Sequence, residues 1–256
     1  MKLKTLFFKL LTAKWSTLIT LFVLAISLCS CAVHSPANAQ KKSKAIRILM
    51  VGGGSSHDFD KWYKEVDVNT LEKDGLATVT YTSDVNTILS KLSDIDVLML
   101  TNNQPMKDPD LRKAIFAFVN SGKGLVLAHA ALWYNWKDWP EYNAQLVSGG
   151  SNGHDKYGSF EVTVVDAKHP VTKGVDQKFT LKDERYYYKP DPTGPGIKVL
   201  ANSSVAGSTD IYPSVFTVNH PKARIVGLAL GHDAESHDLP VYQMLLRNAV
   251  KWVSAK

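Results

Sequence analysis

Three of the eight histidines each follow an apolar run that is typical of a buried β-strand. His57 comes after AIRILMV and a glycine-rich turn, His129 ends GLVLAH, and His232 follows IVGLALG. In an open α/β sheet, ligands bind at the edge formed by the carboxyl ends of the strands. We therefore predict that these histidines share one cleft. Imidazole binds zinc, manganese or iron and titrates near neutral pH, so such a cleft can hold a divalent metal or transfer protons.

Other polar side chains are candidates for the same edge. Asn103 follows the apolar run VLML, and His154 lies in LVSGGSNGH, which we interpret as a glycine-rich loop able to reach the edge. The segment KDERYYY contains Asp183 and Glu184. Adjacent carboxylates on a strand point to opposite faces, so at most one of these two enters a given site.

The chemistry of these residue types suggests their roles. A carboxylate and histidines in one cleft serve as general acid and base, and we predict His129, Glu184 and His232 as the catalytic residues. His129 and His232 are also the predicted metal ligands, with a third ligand from His57, His154 or Glu184. Without a metal, His129 and Glu184 would move protons directly.

A tryptophan-rich segment, ALWYNWKDWPEYN, follows the second of these strands and contains Trp133, Trp136 and Trp139. Tryptophans beside polar groups form platforms for the apolar faces of sugar rings, and their N–H groups remain able to hydrogen-bond. The alternative is that they pack a helix onto the sheet. The predicted substrate-binding residues are His57, Asn103, Trp133, Trp136 and His154.

The turn VGGGSSHDFDKW lies between a predicted strand and a predicted helix, as a dinucleotide-binding loop does. The dinucleotide fingerprint G-x-G-x-x-G is incomplete here, because His57 stands where the third glycine should follow Gly52 and Gly54. Asp58 and Asp60, in the first helical turn, would repel a pyrophosphate. We therefore interpret the turn as one that presents His57.

The elements that position these residues alternate between strand-like and helix-like runs from residue 46 to about residue 140. This alternation predicts an α/β fold with a doubly wound, mostly parallel sheet. From SFEVTVV onward, shorter strands separated by turns predict a β-rich C-terminal extension of the same sheet. LPVYQMLLRNAVKWV closes the chain as an amphipathic helix.

The N-terminal segment, residues 1–39, combines basic and apolar residues as export signals do. ANA before Gln40 fits signal-peptide cleavage, LCSC before Cys31 fits a lipoprotein leader, and an uncleaved anchor is the third option. We predict export to the periplasm or cell envelope, with membrane attachment only through the leader or a lipid anchor. Residues 40–45 would then be a linker and residues 46–256 one domain.

Charge and cysteine content exclude several functions. Without residues 1–39 the net charge falls to about +2, which gives no argument for nucleic-acid binding. Both cysteines, Cys29 and Cys31, lie in the leader, so the predicted domain has no disulfide, thiolate ligand or cysteine nucleophile.

Five motifs in order, GLVLAHAA, LVSGGSNGH, HPVTKGV, DERYY and RIVGLALGHD, resemble those of the ThuA-like (trehalose utilisation) family. The resemblance covers about Ile46 to Trp252 and implies the class I glutamine amidotransferase-like fold, which is related to the flavodoxin-like one. In the amidotransferases, the turn after the strand that corresponds to GLVLA carries a nucleophilic cysteine within G-x-C-x-G. Here the turn is Leu127-Ala128-His129-Ala130-Ala131, so glutaminase activity is excluded.

The resemblance also implies a role in carbohydrate metabolism, with a small carbohydrate such as a disaccharide or an oxidised sugar as ligand. It implies that His57, His129, His154, Glu184 and His232 line the pocket, although the first loop matches the family less closely. Two functions follow as hypotheses: a sugar-modifying hydrolase, lyase or isomerase, possible with or without a divalent metal, and a non-catalytic carbohydrate-binding module. The density of ionisable groups at one edge favours the enzyme.

Overall fold

A nine-stranded sheet forms the centre of the computed structural model, which describes residues 44–133 and 137–255. Its strand order is β2-β1-β3-β4-β11-β10-β9-β6-β7, and β5 pairs with β8 in a separate two-stranded sheet. The strands are β1 (Ile46–Val51), β2 (Ala77–Thr82), β3 (Val97–Leu100), β4 (Gly124–Ala128), β5 (Gly149–His154), β6 (Gly158–Val164), β7 (Lys178–Asp183), β8 (Tyr186–Pro190), β9 (Ile197–Ser204), β10 (Ile211–Val218) and β11 (Ile225–Leu228).

The helices cover both faces of the parallel half of this sheet. They are α1 (Asp60–Asp67, of π type), which continues directly as α2 (Val68–Glu72), then α3 (Ile88–Lys91), α4 (Pro109–Asn120), α5 (Tyr142–Val147, also of π type), α6 (Ala234–His237) and α7 (Pro240–Ser254). Helix α4 begins with an Asp108 side chain that accepts from the Asp110 N–H, followed by proline at the first position.

Alternating strand residues divide the core into two layers. On β1, Ile48 and Met50 face the layer that contains α7, whereas Leu49 and Val51 face the layer that contains α4. All four side chains are buried, as expected for a strand covered on both faces. The apolar run of this strand is therefore explained by helices on both sides of the sheet.

The predicted fold class is confirmed. Five strands, β2, β1, β3, β4 and β11, run parallel, and their order has the flavodoxin-like arrangement in which the strand order reverses beside β1. The later strands β10, β9, β6 and β7 continue the same sheet with antiparallel pairing. This is the predicted β-rich extension.

Two local predictions were wrong. The segment LVSGGSNGH was predicted as a loop, but Gly149–His154 is a strand that pairs with β8. Gly149 and Gly150 have positive φ values, so this strand lacks the residue pattern by which strands are recognised in a sequence. KDERYYY was predicted as one strand, but it breaks at Glu184 and Arg185 because β7 and β8 belong to different sheets. The side chain of Glu184 is therefore oriented independently of the side chains of either strand.

Residues Ala45–Lys256 form one compact unit. The predicted leader, including Cys29 and Cys31, lies outside the described residues. Within residues 44–133 and 137–255, no helix is both long enough and apolar enough to cross a membrane.

Candidate metal centre

Four side chains meet at the carboxyl edge of the parallel strands: His57, His129, Glu184 and His232. One potential ligand atom from each lies within 4.8 Å of those of the other three. The three imidazole ring centres are 4.7 to 5.6 Å apart. The histidines that were predicted to share a cleft are therefore brought together by the fold.

The loop that carries His57 is held by a neighbouring strand end. Asn103, just beyond β3, donates from Nδ2 to the Ser55 carbonyl at 3.0 Å and accepts from the Ser55 N–H at 2.8 Å. Gly54 has φ +127°, and a Cβ there would lie 1.8 Å from Asn103 Oδ1, so only glycine fits. Asn103 thus orients this loop, and its predicted contact with substrate stays a prediction.

His129 is the first residue after β4 and has a φ of +37°, which is uncommon for a residue with a side chain. Strained backbone of this kind is found at functional sites, where surrounding contacts enforce it. Its Nδ1 lies 2.8 Å from the Ala229 carbonyl oxygen. Because a carbonyl only accepts, Nδ1 carries the proton and Nε2 presents its lone pair to the cluster.

Glu184 lies between β7 and β8, and His232 follows β11. Glu184 Oε2 is 3.2 Å from His232 Nδ1 and 3.7 Å from His129 Nε2. The neighbouring Asp183 is fully buried and takes no part in the four-residue cluster. The prediction that only one of the two carboxylates enters the site is consistent with this placement.

Three buried nitrogens of these histidines make no hydrogen bond: Nε2 of His57, Nε2 of His129 and Nδ1 of His232. The last two lie near Glu184 Oε2 without the geometry of a hydrogen bond. In His57, Nδ1 bonds the Ser55 carbonyl at 3.0 Å, so its Nε2 is also the lone-pair nitrogen. Histidines that ligate metals typically donate their other ring N–H to a carbonyl or carboxylate, as His57 and His129 do. The arrangement matches a site for a divalent cation.

The charge states of His57 and Glu184 also suit a cation. Burial lowers the pKa of the His57 imidazole to about 3, and repulsion from His129 adds to the effect, so His57 is neutral near neutral pH. Burial opposes the charge of Glu184, yet protons on the nitrogens of His129 and His232 that face it would hold the pKa of its carboxyl far below the ordinary value. The Glu184 carboxylate raises the pKa of His232 in return, against the effect of burial.

Aromatic residues form the rim of the cluster. Tyr186 stacks on His129 with ring centres 4.3 Å apart, and Trp133 meets Tyr186 edge-on at 5.3 Å. His154, whose side chain is 35% exposed, lies 5.7 Å from the Trp133 ring and places Nε2 3.8 Å from Glu184 Oε1. Trp133 and His154 therefore lie beside the cluster, and their predicted role in substrate binding stays a prediction.

The tryptophans of one segment have different locations. Trp139 is 3% exposed and packs beside Tyr142 and Arg112, so it belongs to the core. Trp133 is half-buried at the rim, and Trp136 lies outside the described residues. The packing alternative considered for this segment is thus correct for Trp139.

Two tyrosines near the cluster were missed as site residues. Tyr186 stacks on His129, and the Tyr157 ring lies 5.6 Å from His232 while its hydroxyl donates to Asp233 at 2.7 Å. The segment DERYY includes Tyr186, but no sequence pattern marks one tyrosine among three neighbours. Tyr157 lies alone in sequence, and no pattern signals its position.

Replacing each of the two described tryptophans by alanine is expected to separate their roles. Trp139→Ala should lower the free energy of unfolding by about 3–5 kcal/mol, because it removes a buried aromatic side chain. Trp133→Ala should cost much less stability, because Trp133 is only partly buried against the core, and should weaken the predicted sugar binding. Urea denaturation and calorimetric titration with a disaccharide measure the two effects. Equal losses of stability would contradict the assignment of Trp133 to the rim.

Comparisons with known proteins agree with this fold. A ThuA-like protein from Parabacteroides merdae ATCC 43184 is similar at 23% sequence identity and a TM-score of 0.73, over 83% of this chain and 91% of that one. One from Bacteroides uniformis ATCC 8492 has 22% identity and a TM-score of 0.67, over 85% and 94%. A cytoplasmic protein from Salmonella typhimurium has 13% identity and a TM-score of 0.54, over 81% and 99%.

At these identities the solved structures establish the fold alone, which is that of the ThuA-like proteins. A comparison with curated protein sequences finds no match. The family model for ThuA, trehalose utilisation, matches residues 37–253, which is most of the chain. The chain therefore belongs to the ThuA family.

Proposed function

We propose that this chain is a metal-assisted enzyme that modifies sugars, as a hydrolase, lyase or isomerase acting on disaccharides or keto-sugars. Family membership gives the coarser role, trehalose utilisation and thus carbohydrate metabolism. The proposal places the enzyme in the cell envelope after export. Mass spectrometry of the natively expressed protein should find a start at Gln40 or a lipidated Cys31, and an intact Met1 on a cytosolic protein would refute export.

The observation that carries the proposal is the set of unpartnered imidazole nitrogens around Glu184. Buried polar atoms nearly always have hydrogen-bond partners, and leaving one unpaired costs about 1–3 kcal/mol. Here three such nitrogens converge on one carboxylate. A single divalent cation would satisfy all of them, whereas hydrogen bonding to sugar hydroxyls would not require this convergence.

The residues present suit zinc, manganese or iron. Imidazole and carboxylate ligands are shared by these metals, and the absence of cysteine from residues 40–256 excludes a thiolate ligand. Bound at this cluster, a divalent cation would polarise a sugar carbonyl or activate a water molecule. The protein side chains contribute the rest: Trp133 supports a sugar ring, and His154 hydrogen-bonds to its hydroxyl groups at the opening.

A carbohydrate-binding module without catalysis is the second candidate. The half-buried Trp133 beside His154 favours it, because an aromatic face next to a hydrogen-bonding group is sufficient to bind a sugar. Direct proton transfer by His129 and Glu184 without a metal is the remaining variant of the enzyme hypothesis.

Metal analysis of the purified full-length protein, combined with a substrate screen, tests the proposal. We expect about one equivalent of metal per chain, as in a mononuclear site. The protein would be treated with chelator, reloaded with zinc, manganese or iron, and assayed on glycosides and keto-glycosides. Activity that disappears with the chelator and returns with one metal supports the proposal. Sugar binding without turnover in any metal form would support the binding module instead.

A further inference from the structure

The backbone of Gly231, which directly precedes His232, is held at both of its polar atoms. Its N–H donates to Asp183 Oδ2 at 2.8 Å, and its carbonyl accepts from the Tyr63 hydroxyl at 2.6 Å and from His237 Nε2 at 3.0 Å. Its φ of +121° lies in the region that favours glycine. The direction in which His232 leaves the chain is therefore fixed by buried side chains.

Asp183 connects this backbone to the other half of the cluster. Its Oδ1 accepts from the Glu184 N–H at 2.6 Å, and its Oδ2 also accepts from the Ser236 hydroxyl. The carboxylate is fully buried, and all three of these donors are neutral. One side chain thus ties the residue that carries the carboxylate of the cluster to the loop that carries His232.

We infer that Asp183 is a positioning residue that sets the spacing between Glu184 and His232 for a shared cation. The inference rests on the proposed function, because it assigns a role within the same metal centre. Asp183 is not one of the four residues that could hold the cation. It acts through the two backbone N–H groups from which it accepts, that of Glu184 itself and that of Gly231, the residue before His232.

Asparagine at this position has a definite consequence. Only one of its two terminal atoms accepts hydrogen bonds, so either the Glu184 N–H or the Gly231 N–H would face an amide donor. The affected segment must then shift to find another acceptor, and its ligand shifts with it. Substitutions of residues that support metal ligands typically reduce metal affinity by about 10–100-fold.

The test compares Asp183→Asn and Ser236→Ala with the unmodified protein, using Co²⁺ as the probe because its visible absorption reports ligand geometry. We expect Asp183→Asn to weaken Co²⁺ binding by about 10–100-fold and to change the absorption spectrum. Ser236→Ala keeps the carboxylate and removes one of its hydrogen bonds, so a smaller change in the same direction is expected. If Asp183→Asn fails to fold, the Co²⁺ affinity and spectrum of Ser236→Ala test the inference instead.

Val253→Ala is the control for a general loss of stability. Val253 is buried in α7 and packs over Gly124, at the amino end of β4 and so at the opposite edge of the sheet. The Val253→Ala substitution should lower the denaturation midpoint without changing the affinity for Co²⁺ or the absorption spectrum. An equal effect of this control on Co²⁺ binding would overturn the inference.

A metal-independent measurement separates this inference from the proposed function. Histidine ring signals in the NMR spectrum of the metal-free protein should move for His232 in Asp183→Asn and stay unchanged for the remote His169. A protein that binds no Co²⁺ but shows this shift would refute the metal function and retain the positioning role. A protein that binds Co²⁺ equally well with and without the substitution, with an unchanged spectrum and unchanged His232 signals, would refute the positioning role.

Discussion

Replacing either His129 or His232 by alanine is expected to abolish stoichiometric metal binding and to reduce sugar turnover by about 10³-fold or more. A catalytic metal stabilises the transition state by several kcal/mol, and each 1.36 kcal/mol corresponds to a tenfold change in rate. Elemental analysis and steady-state kinetics measure the two losses. The His232→Ala substitution should cost little stability, because the His232 side chain is 20% exposed.

His129 needs a second variant because it is fully buried and stacks on Tyr186. Alanine at a φ of +37° retains the backbone strain, whereas glycine does not. His129→Gly is therefore expected to be more stable than His129→Ala by about 1 kcal/mol and equally free of metal. Comparing these two variants shows whether the loss of metal follows from the missing imidazole or from local unfolding.

His169→Ala is the matched control for histidine removal. His169 packs against Trp252 and accepts from the Val171 N–H, away from the cluster. It should retain metal and turnover. A metal-free protein whose His129→Ala variant alone loses activity would point to direct proton transfer, and full metal retention in both cluster variants would refute the proposed ligands.

Replacing Asp67 by asparagine is expected to lower the free energy of unfolding by about 3–5 kcal/mol, the cost of breaking a buried ion pair on one side. Asp67 accepts from His237 Nδ1 at 2.7 Å and from the Tyr242 hydroxyl at 3.1 Å. Both carboxylate and imidazole are fully buried. Since His237 Nε2 also faces a carbonyl, Gly231 O, both ring nitrogens donate and the ring is positively charged.

The same substitution on an exposed pair is the control. Asp96 pairs with Arg47 at 2.7 Å, with both side chains about 40% exposed. Exposed ion pairs contribute about 0–1 kcal/mol, so Asp96→Asn should cost much less than Asp67→Asn. Urea denaturation of the two variants compares them directly, and similar costs would contradict a charged, buried pair.

The buried pair also makes stability depend on pH. Burial opposes the charge of His237, but Asp67 outweighs it and holds the pKa of the imidazole above its ordinary value of 6.5. The contribution of the pair is thus complete below 6.5 and is lost as pH rises through the higher folded-state pKa. The unfolding free energy should fall with rising pH above 6.5 in the unmodified protein and change less in Asp67→Asn.

The other groups that face His237 do not produce this dependence. Tyr63 and Tyr242 contact the ring, and burial raises the pKa of both hydroxyls well above the ordinary value, so they stay protonated. The negative charge of Asp183 acts in the same direction as that of Asp67. Urea denaturation of both proteins at pH values from about 6 to 9 measures the fall, and an equal pH dependence in the two proteins would show that the His237 ring is neutral.

The layered α/β fold, and the edge of the sheet where ionisable side chains gather, could be predicted from sequence patterns alone. Apolar runs such as those of β1 and β4 report burial on both faces, and helical spacing between them reports a crossover. These are local patterns, so they can be recognised without knowing any partner. Placing His57, His129 and His232 at one edge needed only the rule that parallel strands end together.

Which side chains meet at this edge depends on contacts between distant parts of the chain. Glu184 enters the cluster, and Asp183 turns away, because β7 and β8 belong to different sheets. The partners Asp67 and His237 are 170 positions apart in sequence, and the Gly231 backbone is fixed by side chains from three other segments. Such contacts depend on strand order and on packing between distant elements. Local periodicity, which describes one element at a time, carries no information about them.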